Sequence, residues 1–520
     1  IHNMLRGKWK NRGKKIHIIG SDRWNGISIG KTWGWGEFIA FDQYLRRKLG
    51  RGLQGRTRRE IVKEISSRYG DHWQRWQLER YADHLIASQE KFREHGLSMT
   101  FETHGSFPFA GGELGRKLAR THIGVGTDLF WELRRQDLYW SLGTRFAVVA
   151  VNPDLRSGAY NQWGWVNSEL NRYWFANSGS VEPARRQWYS TYYAGRIDLR
   201  GEFQPYHVFG FSSQGGHSTQ FTRTDIRYYT RTVNLMTQLR PEQVTGHGIV
   251  VSWALQERRM GPRLGRQGFG LYPEDRWQPV DTTMGHVYHR LVKQGVPISF
   301  VTSTHALKSW QGGKPLIIVD GFNLDAWEFD HLERLNARRT PVFAIGAPDD
   351  SDHSRALQFF GLRQTQSGLE PALPQTIAVV PGDGVTVFIR RSKAHAPRLY
   401  CPCPPEEIPG TILPQFAKLW LEQTGHAIQV PPGIVPYPFI AQNRLFITFN
   451  DQGDFSRRIR VRIRPAILKP GLDPAGIRVI DVDRATVIPC RREADSIVFA
   501  FPIGASDGRM FLIDAKHAKE

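Results

Sequence analysis

The sequence predicts an α/β protein in three successive parts. These are a (β/α)8-type barrel segment over residues 1–245, a flavodoxin-like three-layer α/β domain over 246–427, and a small β-sandwich over 428–520. Three observations predict it. As far as Leu239, short apolar runs alternate with helical patterns, the signature of a parallel sheet covered by helices. From Gly248 a second such alternation begins. From about Gln429 the texture changes to short alternating runs separated by Gly, Pro and Asp, as in a small antiparallel sandwich.

In the first part, Lys15–Asp22 (KIHIIGSD) is an apolar run with a polar tip, the pattern of a buried parallel strand. Glu37–Leu49 follows as a helix with Phe38, Phe41, Leu45 and Leu49 on one face. Thr57 opens another helix, with Glu60 completing a capping box, and Asp71 is expected to cap a long helix ending near Gly96. Leu97–His104, His122–Asp128, Arg145–Asn152 and His207–Gln214 are the next strands. Helical stretches at Gly115–Arg120, Phe130–Ser141, Ala184–Ala194 and Thr224–Leu239 alternate with them. Five strands thus end in or close to polar residues: Asp22, Glu102, Asp128, Asn152 and Gln214. In a (β/α)8 barrel the active site sits at the C-terminal ends of the strands, and polar tips in a row fit that geometry.

In the second part, GIVVSW, VPISFVT, KPLIIVD, Pro341–Ile345, TIAVV and VTVFIRR read as strands. Helices fall near Met284–Gln294, Asp325–Asn336 and Leu413–Thr424. In the third, RLFITFN, RRIRVRIRP, IRVIDVD and SIVFAFPI are short alternating runs.

The chain has 520 residues, room for roughly three domains. Its composition, 40% hydrophobic and 23% charged, is that of a soluble globular protein. No apolar run reaches membrane-spanning length. Lys and Arg number 70 against 49 Asp and Glu, a net charge of +21 that concentrates anions near the surface. An acidic polysaccharide bearing sulfate or uronate is one partner of that kind, and nucleic acid is another. The basic residues are spread along the chain, and the run Lys8–Lys15 is short, which argues against a dedicated nucleic-acid arm. Three cysteines, Cys401, Cys403 and Cys490, are too few for a disulfide scaffold and lack zinc-site spacing, so free thiols are expected. No metal-ligand or dinucleotide motif is present, and no cofactor is expected. A secreted or periplasmic location is expected, with a cytoplasmic one left open.

The order of barrel, flavodoxin-like domain and small sandwich resembles the β-galactosidases of glycoside hydrolase family 42 and their clan A relatives. IIGSDRWNG (Ile18–Gly26) followed by FDQYLRRKLG is similar to that family's fourth barrel strand and the helix after it. HVFGFSSQGGHS (His207–Ser218) resembles its eighth-strand segment, and VYHRLVKQGVPISFVT with KPLIIVDGFNLDAWEFDHLERL resembles its flavodoxin-like domain. The resemblance implies that Ile1–Leu239 supplies strands four to eight, with strands one to three upstream of Ile1. It implies a noncatalytic flavodoxin-like domain, structural in role and suited to an oligomer interface. It also exposes departures. The family's acid/base Glu is matched by Arg23 and Trp24, and its nucleophile strand ends here in Asn152-Pro153-Asp154.

Glycoside cleavage needs two carboxyl groups across the bond, one to protonate the leaving oxygen and one to attack carbon or activate water. Asp22, with either Glu102 or Asp154, is the candidate catalytic pair. Asp128 and Glu37 also stand near strand tips, though Asp128 suits an N-cap and Glu37 the opening of a helix. Sugar rings pack their CH faces on flat aromatics. Trp24, Trp35, Trp163 and Trp165, in or next to loops after strands, are candidates for that stacking, whereas Trp73 and Trp76 on a helix are expected in a core. Arg23, Asn152, Gln214, His104 and His217 complete the candidate substrate-binding set, the histidines also suiting proton movement. The first functional reading is therefore a glycoside hydrolase acting on a poly- or oligosaccharide, an anionic one given the charge. A noncatalytic carbohydrate-binding protein and a nucleic-acid-binding protein are the alternatives.

Overall fold

The computed structural model describes residues 18–21, 34–94, 98–104, 124–128, 158–160, 195–197, 200–205, 207–209, 235, 238–252, 287, 290–291, 294–381, 384–404, 407–451, 455–504 and 507–515. The chain is mixed α/β, with parallel strands in its first two parts and antiparallel sheets in its last.

Seven short strands are described in the first part: β1 (Ile18–Ser21), β2 (Ser98–His104), β3 (Gly124–Asp128), β4 (Gly158–Tyr160), β5 (Gly195–Ile197), β6 (Phe203–Pro205) and β7 (His207–Phe209). β1, β2 and β3 form a parallel three-stranded sheet in chain order, β3 runs beside β4, and β4 pairs in parallel with β7. The expected strand at Arg145–Asn152 and the helices at Gly115–Arg120, Phe130–Ser141 and Ala184–Ala194 lie outside the described residues.

Between β1 and β2 stand helices α1 (Trp35–Leu49), α2 (Arg58–Glu64) and α3 (Gly70–Glu94). Phe38, Phe41, Tyr44 and Leu45 of α1 meet Ile61, Ile65, Tyr69, Trp73 and Trp76 in one buried cluster, so the two expected core tryptophans are core. The rings of Phe41 and Trp73 meet edge to face at 4.8 Å, a contact worth about 1 kcal/mol beyond the area buried. Thr57 caps α2 as expected, its hydroxyl accepting the Glu60 N–H at 3.2 Å while the Glu60 carboxylate accepts the Thr57 N–H. Asp71 does not start a separate helix. A π-turn, Ile65–Tyr69, joins α2 to α3 without a break. The buried residues at 61, 65, 69 and 73 recur every four positions, a spacing that drifts round an ordinary α-helix. The wider i→i+5 turn absorbs that drift.

The second part centres on a nine-stranded sheet. After the two-residue strand β8 (Gln243–Val244), which belongs to another sheet, its strands are β9 (His247–Val251), β10 (Ile298–Ser303), β11 (Leu316–Val319) and β12 (Val342–Ile345). A hairpin, β13 (Leu362–Thr365) with β14 (Gly368–Pro371), stands apart from the sheet, which continues with β15 (Thr376–Val379), β16 (Val387–Arg390) and β17 (Arg398–Cys401). The parallel middle runs β10-β9-β11-β12-β17, the 2-1-3-4-5 order of a doubly wound sheet. Helices α4 (Ala326–Ala337), α5 (Ser354–Phe360) and α6 (Leu413–Gln423) cover it. β5, with β6 at its edge, extends this sheet by pairing in parallel with β10.

In the last part β18 (Ile428–Gln429), β19 (Ile434–Ala441), β20 (Arg444–Asp451), β21 (Arg457–Ile463), β22 (Ile477–Asp481), β23 (Thr486–Ile488), β24 (Cys490–Glu493), β25 (Ser496–Ile503) and β26 (Gly508–Ala515) form two antiparallel sheets. One is ordered β18-β21-β25-β24 and the other β23-β22-β26-β20-β19-β8, so Gln243 and Val244 close its edge against β19. Leu445, Ile447, Phe449, Phe511 and Ile513 of the second sheet pack on Ile459, Val461, Phe499 and Phe501 of the first. Val435, Tyr437, Phe439, Phe446, Met510 and Leu512, on the opposite face of the six-stranded sheet, belong to the core of the α/β unit. The six-stranded sheet is therefore buried on both faces along β19, β20 and β26, and the four-stranded one on a single face.

Candidate functional site

The site predicted from the sequence rests on strand tips, and β2 and β3 supply the described part of it. Residues two apart on a strand share a face, and register partners in a parallel pair share it too. Glu102 stands opposite Gly126, and His104 opposite Asp128. Glu102, His104 and Asp128 thus occupy one face at the C-terminal end of the same sheet. β1 reaches this end with Ser21 opposite Phe101, and Asp22 is the next residue of the chain. A carboxylic acid, an imidazole and a second acid on adjacent strands have the residue types for proton transfer and for hydrogen bonds to hydroxyl groups.

Helix α1 carries two more of the candidates. Glu37 lies in its first turn, where its carboxylate accepts the Gly34 N–H at 3.3 Å, a helix-opening role that the positive N-terminal end favours. Trp35 is 56% exposed, its ring perpendicular to that of Phe38 at 6.0 Å, so more than half of the residue is open to solvent. Asp22, Arg23, Trp24, Asn152, Asp154, Trp163, Trp165, Gln214 and His217 lie outside the described residues.

A second polar cluster, not foreseen from the sequence, gathers where the parallel sheet of the second part changes direction, between β9 and β11. The Ser252 hydroxyl donates to the Glu328 carboxyl at 2.6 Å, and the Asp325 N–H donates to its other oxygen at 2.7 Å. Burial raises the Glu328 pKa above the ordinary glutamate range. Just beyond β11, Asp320 takes a left-handed conformation at φ 54°, and the Asn323 side chain holds the Ala347 carbonyl and the Asp349 N–H. Gly346 ends β12 at φ 139°, where a Cβ would come within 2.7 Å of the Asp320 carboxylate. These contacts tie strand ends to α4 and to the following loop. The only sequence signal was Asp325 and Glu328 at capping-box spacing.

Cys401 lies buried in β17, and burial pushes its thiol pKa up to about 12, far from a reactive thiolate. Among the described residues no group of three His, Cys, Asp or Glu side chains is arranged to hold a metal, and no helix is long and apolar enough to cross a membrane.

No protein-family model and no curated protein matches the chain. Solved structures do. A β-galactosidase from Bacillus circulans sp. alkalophilus covers 98% of this chain with 81% of its own length, at 9% identity and a TM-score of 0.56. A catalytic mutant of Gan42B, a GH42 β-galactosidase from G. stearothermophilus, covers 91% of this chain with 75% of its own, at 10% identity and a TM-score of 0.53. The β-galactosidase from Rahnella sp. R3 covers 91% with 75% of its own, at 9% identity and a TM-score of 0.53. Across nearly its whole length the chain has the fold of the family 42 β-galactosidases.

Proposed function

We propose that the protein is a glycoside hydrolase that cleaves a poly- or oligosaccharide carrying anionic groups, by acid/base catalysis between two carboxyl groups at the C-terminal ends of parallel barrel strands. The observation that carries the reading is the register of β2 and β3, which sets Glu102, His104 and Asp128 on one face at one strand end. In a (β/α)8 barrel that end is the catalytic one. The likeness in fold to β-galactosidases supports the same reaction class. Asp22, with either Glu102 or Asp154, forms the pair: one carboxyl protonates the departing oxygen, the other attacks carbon or activates water. His104 and Asp128 orient hydroxyl groups, and Trp35 offers a flat face to a sugar ring. The anionic substrate is inferred from the charge of +21.

The test is release of reducing ends from a panel of neutral, sulfated and uronate-bearing polysaccharides. Turnover on an anionic member, falling by roughly 10²–10⁴-fold in Glu102→Gln while affinity holds, is the expected outcome. Trp35→Ala should instead raise KM. The departures at Arg23-Trp24 and Asn152-Pro153-Asp154 favour a second reading, a carbohydrate-binding protein without turnover. Binding to one polysaccharide with no release from any would establish it and sink the first.

A further inference from the structure

The outer face of the four-stranded sheet carries a charge pattern that folding does not require. In β21 the residues alternate in burial: Ile459, Val461 and Ile463 point into the sandwich core, and Arg458, Arg460 and Arg462 point outward. Arg491 of β24 stands on the same face, since its partner Val498 is also the partner of Arg462. Guanidinium groups at alternate positions of one strand are rooted only about 7 Å apart, and like charges so close repel. Among the described residues a single acid answers them. Glu493 pairs with Arg462 and Arg491 and lies 4.0 Å from Arg460, while Arg458 has no acidic partner among the described residues. Arg460 and Arg491 each keep 67% of their side chains exposed despite that contact.

Charges on an edge strand deter aggregation, and β24 and the part of β21 before Arg462 both run along edges, since β18 meets only Arg462 and Ile463; that role asks for charge but not for Arg at every position. The cross-strand neighbours of Arg458 and Arg460 are Pro502 and Ala500, short residues that leave the guanidinium groups free to reach outward. Arg rather than Lys at every outward position of the row suits planar, two-pronged contacts with carboxylate or sulfate oxygens.

We propose that this face binds an anionic polysaccharide through repeated sulfate or carboxylate groups, as an accessory surface that shares no strand with the candidate catalytic end. A row of cations at strand spacing matches a polymer with recurring charge better than one small anion. Single-stranded nucleic acid needs aromatic platforms for successive bases. The outward positions of β21, β24 and β25 hold none, because Phe499 and Phe501 point inward, and among the described residues the exposed ring nearby is Phe455, before the strand. The inference shares the anionic substrate class with the proposed activity but stands on separate residues.

The experiment measures binding of the full chain to fluorescent dextran sulfate, polygalacturonate, neutral dextran and mixed-sequence single-stranded DNA at matched salt. Replacing Arg458, Arg460 and Arg491 together by Gln should weaken binding to dextran sulfate or polygalacturonate by roughly tenfold and flatten its salt dependence. Removing the same charge elsewhere, by Gln at the exposed Arg56, Arg58 and Arg59, should change it less than about twofold. Arg460→Gln alone, a milder change at an exposed site, should lower affinity by about threefold. Equal losses in the two triple variants would assign binding to total charge and overturn the proposal. So would tighter binding of DNA than of either acidic polymer, or equal binding of neutral dextran. Binding is read without turnover, so its failure leaves reducing-end release standing, and absence of release leaves binding standing.

Discussion

Arg398 shows how a charge survives in a core. It opens β17 at 2% exposure, with its Nε donating to the Asn336 Oδ1 at 2.7 Å, a terminal nitrogen donating to the Phe359 carbonyl at 2.8 Å, and Glu333 3.5 Å away. Burial lowers its pKa to about 10, still charged at neutral pH, and the group lies over the Phe359 ring at 4.2 Å. Arg398→Met keeps the volume but strands the Asn336 oxygen and leaves the Phe359 carbonyl only its bond from Arg390, so we expect a loss of about 2 kcal/mol in urea unfolding. A loss below about 1 kcal/mol would show that water or a neighbour satisfies those groups. His247 makes the opposite choice and stays neutral. The Trp420 Nε1–H donates to its Nδ1 at 3.1 Å, and burial lowers its pKa to about 3, with His426 contributing. His426 is itself lowered to about 4 by burial and by Arg464. Both folded values lie below the unfolded value of about 6.5, so the unfolded chain binds more protons in between. Their contribution is complete above about pH 6.5 and is lost as pH falls toward about 4. Melting midpoints should therefore drop from pH 7 to pH 4.5, and His247→Gln, which can still accept from Trp420, should drop less. Parallel curves for the two proteins would remove His247 from the acid response.

At the scale of elements, helix α2 offers the simplest check. Thr57→Ala deletes the side-chain acceptor of the Glu60 N–H and should lower stability by about 1 kcal/mol, with Thr57→Ser close to wild type. Local signals of this kind were legible in the sequence. So were the strands from β9 to β12, where apolar runs of strand length sit between helices, and β1 to β3, whose polar tips marked the candidate site. β17 was not legible, because Arg398 at its start reads as a surface residue until Asn336, Glu333 and Phe359 surround it. β19 was missed because Pro436 and Pro438 argue against a central strand. The structure explains the exception: beside β19 on one edge runs only the two-residue β8, and Pro438 meets it through its carbonyl, which accepts the Thr245 N–H. Alternation also misled. RRIRVRIR does alternate in burial, but RLFITFND is buried almost throughout, because its sheet is covered on both faces. Register escaped for a related reason. That Glu102, His104 and Asp128 share a face depends on which residue of β2 meets which of β3, a long-range pairing that neither run encodes alone.

The doubly covered sheet decides how the whole molecule should unfold. Phe439 lies 1% exposed on the face of β19 turned toward the α/β unit, stacked on Phe446 at 5.5 Å. The same core holds residues of β9, β11 and α6. On the other face of the same sheet Leu445, Ile447 and Phe449 hold the sandwich core. A sheet that is one wall of two cores couples them, since neither core stays packed once it peels away. The helical cluster of α1 to α3 shares no residue with either core. Phe439→Ala opens a cavity costing about 3–5 kcal/mol. If the coupling holds, the amides of β11 in the α/β sheet and of β21 in the far sheet of the sandwich should lose hydrogen-exchange protection by the same free energy, while those of α3 are unchanged. Loss confined to β11 and its neighbours would mean that the sandwich opens as a unit of its own. The six-stranded sheet would then be a surface on which two independent cores rest, not the element that joins them.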